Sequence, residues 1–143
     1  VELMDLNAPF GPSEGWRSFS GIVRGVYLET LPETYFDDVF FHAALSDDLS
    51  EADCTLEFST DGDPQGLGVR ARLVREGRVA AESACIAASA CVLHFPAEMP
   101  ALWSPEQPNL YELTVELLRG ETVVDCYPCA VGLKKLQIRQ GHF

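Results

Sequence analysis

The sequence predicts an all-β fold, an immunoglobulin-like antiparallel β-sandwich of about seven strands. Three observations carry this. Apolar and polar residues alternate at period 2 through most of the chain, while helical periodicity hardly occurs. Turn signals such as Ser46-Asp47-Asp48 and Asp61-Gly62-Asp63-Pro64 separate the alternating runs. A chain of 143 residues that is 47% apolar and 22% charged can bury one core, excludes two large domains, and is unlike a disordered tract.

Residues 1–32 differ in kind from the rest. Asn7, Pro9, Gly11, Pro12, Ser13 and Gly15 make their first half loop-like, and only 21–28 has strand character, as at the tail of a neighbouring domain. In the first sandwich strand, Tyr35, Val39, Phe41, Ala43 and Leu45 are expected to face inward, with Asp37 interrupting that face. Cys54, Leu56 and Phe58 form the next inward set, and Asp53, Thr55, Glu57 and Ser59 face out. Val69, Ala71 and Leu73 then face in while Arg70 and Arg72 face out.

Arg75-Glu76-Gly77-Arg78 is a tight hairpin connection into 79–86, because Gly77 tolerates a positive φ. Cys91, Leu93 and Phe95 are the following inward set. Tyr111, Leu113, Val115 and Leu117 alternate with Glu112, Thr114 and Glu116, and Arg119-Gly120-Glu121 turns the chain into 122–131. A last strand is expected over 133–138. Tyr111 suits either a tyrosine corner or a rim aromatic packed on the core.

Charge narrows the partners. Ten Lys and Arg against 22 Asp and Glu give a formal charge of −12, which repels phosphate backbones and anionic lipid, so neither nucleic acid nor membrane is an expected partner. The most apolar run, 84–95, is too short to span a bilayer. The chain begins at Val1 without a basic segment, apolar stretch and cleavage site, and reads as an internal piece. Five scattered cysteines (Cys54, Cys85, Cys91, Cys126 and Cys129) read as buried thiols of a reducing, cytoplasmic compartment rather than a disulfide framework, with export of a parent left open.

No residue is marked out for catalysis. Asp37, Asp38, Asp47, Asp48, Asp61 and Asp63 fall at turns or on solvent faces, and His42, His94 and His142 have no nucleophile elbow near them. Cys126-Tyr127-Pro128-Cys129 has CxxC spacing but lies in a β region without a second pair, and is read as structural thiols. No cofactor or metal ligand is assigned. From Gly25 to Val69 there are 11 acidic residues and no Lys or Arg, a solvated acidic face or one that meets a basic surface. A calcium site at Asp61–Asp63 lacks the ligand ladder of an EF-hand.

Two stretches resemble a known family. Leu102-Trp103-Ser104-Pro105-Glu106-Gln107-Pro108-Asn109-Leu110-Tyr111, followed by an alternating strand, a turn and Val131-Gly132-Leu133-Lys134, is similar to the closing segment of the immunoglobulin-like domain of glycoside hydrolase family 2. Trp16 to Leu28, with Ser20-Gly21-Ile22-Val23-Arg24-Gly25-Val26 at its centre, resembles the last strand of that family's jelly-roll domain. Val23 stands for the usual aromatic, Gly25 for the usual Asp, and Leu133-Lys134 for the usual Phe-Arg; Lys134 keeps the charge but loses the planar two-pronged donor.

The resemblance implies that 1–32 is the remnant of a sugar-binding jelly roll with its linker, and that 33–143 is the sandwich of an enzyme of β-galactosidase type hydrolysing O-glycosyl bonds. The catalytic glutamates of such enzymes belong to a barrel that follows the sandwich, and neither is carried over to this chain. Expected partners are the neighbouring jelly roll and barrel, with self-association through the orphan strand 21–28 as a further possibility. The implied structural residues are Trp103, Pro105, Pro108, Asn109, Tyr111, Gly132, Gly21 and Arg24, with Trp103 expected to be fully buried. The alternative is a free-standing carbohydrate- or protein-binding sandwich, whose aromatics would come from Trp16, Phe19, Tyr27, Phe36 and Phe40.

Overall fold

The computed structural model describes residues 24–136. The chain divides into two units between Thr30 and Leu31. In the first, the described stretch 24–30 contains no strand. The strand expected over 21–28 is thus corrected from Arg24 onward: extended backbone becomes a strand only against a hydrogen-bonded ladder, and none pairs with it among the described residues. Gly21 lies outside them.

The second unit holds β1 (Tyr35–Leu45), β2 (Glu51–Asp61), β3 (Gly68–Arg75), β4 (Arg78–Ile86), β5 (Ala90–Glu98), β6 (Tyr111–Arg119) and β7 (Thr122–Val131). All pairings are antiparallel, in one sheet ordered β1-β2-β5 and another ordered β4-β3-β6-β7. This is the all-β sandwich that the alternation predicts. Hairpins join β1 to β2, β3 to β4 and β6 to β7, while the other connections cross between sheets. The β3–β4 turn places Glu76 at φ 52° and Gly77 at φ 74°, the pair of positive angles that matches strand twist.

Inward side chains of the two sheets meet in one core. Leu56 and Cys54 from one face Val69, Leu73, Leu113, Val115 and Leu117 from the other, all less than 2% exposed. β1 packs Val39, Phe41, Ala43 and Leu45 on the core as expected and departs only at its start. Its register shifts between Phe36 and Asp38, so Asp37 is the extra residue of a bulge and alternation changes parity there. Phe36, not Tyr35, packs on the core, edge-on to Phe58 at 5.7 Å. Tyr35 instead donates its hydroxyl to Asp61 Oδ2 at 2.8 Å. The N–H of Phe36 donates to Asp125 Oδ2 of β7 at 2.8 Å, joining the two sheets along their β1/β7 side.

Two further expectations are corrected. Residues 133–136 form no strand, because the carbonyl of Leu133 accepts from Trp103 N rather than from a ladder (2.8 Å); 137 and 138 lie outside the described residues. Of the five thiols only Cys54 is buried, Cys85, Cys91 and Cys129 being half-buried and Cys126 exposed, since β4, β5 and β7 are edge strands whose residues reach the rim of the core.

The β1–β2 turn is organised by Asp48, whose Oδ1 accepts from Ser46 Oγ (2.7 Å), Ser50 Oγ (2.8 Å) and Ser50 N (3.2 Å). These bonds hold its carboxyl at about 2, below the ordinary 3.8. The folded value is the lower one, so its contribution to stability is complete above the ordinary value and fades as pH falls toward about 2. Acid titration of urea midpoints should therefore show a decline in that window that Asp48→Asn flattens; an unchanged profile would remove Asp48 as its source.

Candidate functional site

Six of the expected structural residues, Trp103, Pro105, Pro108, Asn109, Tyr111 and Gly132, converge at one end of the sandwich, where the loop between β5 and β6 meets the chain leaving β7. The loop is a small hairpin: Trp103 bridges Pro108, Ser104 N donates to Gln107 O (2.9 Å), and Gln107 N donates to Ser104 Oγ (3.0 Å). Pro105 follows the first residue of this turn, where its fixed φ is suited. Pro108, exposed, gives up only an N–H that the loop does not use.

Asn109 ties the hairpin down. Its Nδ2 donates to Leu102 O at 2.8 Å and its Oδ1 accepts from Arg75 Nη2 at 2.9 Å. Tyr111 is 3% exposed, and its hydroxyl accepts from Ala101 N at 2.7 Å, closing the loop across ten residues. Both readings of Tyr111 thus meet in one side chain: a core-packed ring and a hydroxyl bonded to upstream backbone.

The departing chain lies against this hairpin. Trp103 N donates to Leu133 O (2.8 Å), and Leu133 itself is 1% exposed. Gly132 touches the indole so closely that a Cβ there would sit 3.1 Å from Trp103 Cβ, Cγ and Cδ1. Lys134 Nζ stands 5.2 Å from the Trp103 ring centroid, a cation–π contact. Lys135 Nζ donates to Ser46 O (3.1 Å) and to Asp47 Oδ1 (2.8 Å), and this bond lowers the Asp47 carboxyl from its ordinary value. Residues 132–135 are therefore latched to the β1–β2 turn and to the β5–β6 loop at once.

Full burial of Trp103 is not found. The ring is half-buried, because an ammonium group rather than core carbon stands over it. Trp103→Ala should accordingly cost about 2 to 3 kcal/mol, less than a fully buried indole. Gly132→Ala, which pushes a methyl into the indole, should cost about 1 to 2 kcal/mol. Urea unfolding of both variants checks this; losses below about 0.5 kcal/mol in each would show that the latch adds no stability.

Arg24 is exposed and belongs to the first unit. Sequence reasoning missed Arg75, Lys135 and Asp47, since each acts on a partner distant in the chain. It placed Arg70 and Arg72 facing out but missed their convergence on Glu116 across the outer face of the four-stranded sheet, where the carboxylate takes Arg70 Nε at 2.8 Å and Arg72 Nη2 at 3.2 Å. Glu116 is 8% exposed and its carboxylate sits between the two guanidiniums; its hydrogen bond raises the pKa of Arg70.

The other candidates fall elsewhere. The ten acids from Glu33 to Asp63 are all exposed, and Asp61 and Asp63 spend Oδ1 on the N–H groups of Gly62 (2.9 Å) and Gln65 (3.0 Å). His42 and His94 flank Thr55 on the outer face of β1-β2-β5, with Thr55 Oγ1 at 3.2 Å from His94 Nδ1; His142, Trp16 and Phe19 lie outside the described residues. Cys126 pairs opposite Glu116 and Cys129 opposite Leu113, so strand geometry puts the two thiols of the CxxC on opposite faces. Among the described residues no three His, Cys, Asp or Glu side chains gather as metal ligands.

The family described as "Glycosyl hydrolases family 2" matches residues 34–134. The β-galactosidase of Leuconostoc mesenteroides is 33% identical over 145 residues, which cover 92% of this chain and 14% of that protein. The β-galactosidase of Clostridium acetobutylicum is 38% identical over 101 residues, 70% of this chain and 11% of that one. A crystal structure of a β-glycosidase from Bacteroides vulgatus superposes with a TM-score of 0.73 at 28% identity, covering 87% of this chain and 16% of that one. The chain thus spans about one seventh of the length of the Leuconostoc relative.

Proposed function

Because the chain belongs to glycosyl hydrolase family 2, we propose that it is the non-catalytic sandwich of an enzyme of β-galactosidase type, linking a sugar-binding domain to the barrel that hydrolyses the O-glycosyl bond. The latch at 132–135 is the observation that carries this reading. A free-standing module has no need to fix the path of the chain leaving its last strand, whereas a linking domain must give that chain a defined heading so that the groups it positions stay within a fraction of an ångström. Here a buried leucine, a glycine–indole contact and two lysines hold four consecutive residues.

The residues proposed for this role are Trp103, Pro105, Pro108, Asn109, Tyr111 and Gly132, together with Lys134 and Lys135. The sugar is selected in the barrel, so no specificity is assigned to the sandwich. Its partners are the neighbouring domains. The exposed Val26, Tyr27 and Leu28 supply an apolar stretch through which the isolated chain would self-associate, and light scattering reads that directly.

Reading the source gene past the codon for Phe143 tests the proposal. A frame that continues into a barrel carrying an acid/base and a nucleophile glutamate is the expected result; an immediate stop codon would overturn the linking role. The purified chain should neither turn over a chromogenic galactoside nor release heat with galactosides in calorimetry. A second reading, a carbohydrate-binding face, rests on Phe40 and Val92, 57% and 53% exposed on the outer face of β1-β2-β5 beside Asp38 and Glu57. Binding heat abolished by Phe40→Ala would establish it instead.

A further inference from the structure

Cys85, near the end of β4, and Cys91, near the start of β5, belong to different sheets, yet their Sγ atoms are 3.8 Å apart. The short crossover between them is anchored from both sheets. Ala87 N donates to Leu67 O just ahead of β3 (3.0 Å), Ser89 O accepts from Thr60 N at the end of β2 (3.1 Å), and Ala88 O accepts from Thr60 Oγ1 (3.3 Å). Cys85 is registered opposite Val69 and Cys91 opposite Phe58. Backbone bonds on both sides of the crossover therefore bring the two cysteines close together. Both thiols are half-buried at the rim of the core. The other three are remote, Cys54 being interior to β2 and Cys126 and Cys129 lying on β7, the far edge of the sheet from β4.

We propose that Cys85 and Cys91 form a reversible disulfide that staples the two sheets along their β4/β5 side. A bond of about 2 Å requires each Sγ to move by roughly 1 Å, which a small swing about χ1 supplies. The co-reactant is a low-molecular-weight disulfide such as oxidised glutathione. The Cys91 thiolate attacks one of its sulfurs and expels one thiolate, leaving a mixed disulfide. Cys85, as thiolate, then attacks the Cys91 sulfur and expels the second. The two protein thiols are oxidised to one S–S bond, and the small disulfide is reduced to two thiols that carry off the two protons. Burial and the neighbouring Cys91 push the Cys85 thiol up to about 11, so Cys85 enters second, and closure should accelerate about tenfold per pH unit through the neutral range.

The test equilibrates the purified chain in glutathione buffers of rising oxidised fraction, quenches with an alkylating agent and weighs the tryptic peptides. No Lys or Arg separates Val79 from Arg119, so both sulfurs fall in one peptide, and Cys126 and Cys129 fall in the next. The expected product is the 79–119 peptide unalkylated and lighter by two hydrogens, formed at an oxidant level at least about tenfold lower in native buffer than in urea, because folding raises the effective concentration of one thiol at the other. Cys85→Ser should trap Cys91 as the glutathione adduct, and Cys126→Ser should leave the staple intact. A 79–119 peptide that stays doubly alkylated in native buffer, or closes only in urea, would overturn the proposal.

Discussion

Replacing Gly62 by alanine should remove about 3 to 4 kcal/mol of stability, a large part of what a domain of this size possesses. Gly62 closes the end of β2 at φ 85°, where L side chains are strained. A Cβ built there also runs into the carbonyl oxygen of Glu33 and comes within 2.9 Å of Thr34 Oγ1. The first obstacle is backbone and cannot rotate away. Thr34 is held in its turn, 5% exposed, with its hydroxyl donating to Asp63 O at 3.0 Å. The two penalties therefore add, and the segment entering β1 must shift before the variant can fold. Urea unfolding followed by fluorescence measures the loss. A cost under about 1 kcal/mol would mean that the Asp61–Asp63 turn relaxes to a negative φ without disturbing Glu33.

Glu116→Ala is expected to cost about 2 to 3 kcal/mol, because it strands two guanidiniums that the carboxylate now neutralises. Their side chains are 34% and 31% exposed, so water recovers part of the loss and keeps the cost below that of a fully buried pair. Arg72 Nε is already buried without a partner, which makes Arg72 the more expensive of the two to leave unpaired. Arg70→Ala alone should cost only about 1 kcal/mol, since Arg72 stays on the carboxylate. Changing all three to leucine should be nearly neutral in stability while exposing apolar surface on the outer sheet face. Unfolding midpoints for the single and triple variants form the test, and a triple variant less stable than Glu116→Ala would show that the cluster stabilises more than its parts.

How much could be read from the sequence depended on how far each residue's partner lay along the chain. The inward sets of β2, β3 and β6 were legible because alternation reports the face of a strand residue by residue: Cys54, Leu56, Val69, Leu73, Leu113 and Val115 are all interior. The Asp37 bulge was not. Asp37 showed only as an interruption of the inward face, and the parity change there accompanies a bond from Phe36 N to Asp125, 89 residues further on. At the candidate site, the order of residues 102–111 marked Trp103, Asn109 and Tyr111 through their family resemblance. What they touch was invisible, because Arg75 and Leu133 reach them only through the folded topology. The half-burial of Trp103 was missed for the same reason, Lys134 being 31 positions away in sequence and directly over the ring in space.

The latch also determines how the domain responds to load. A pull on the chain beyond Lys135 meets the Lys135–Ser46 and Trp103–Leu133 bonds before any tension reaches the ladder between β6 and β7. Force is thereby divided between the loop carrying Trp103 and the turn carrying Ser46, which are themselves joined through Met99 N and Ser50 O at 2.7 Å. The exit is thus clamped at two points of the sandwich rather than left free to peel an edge strand away.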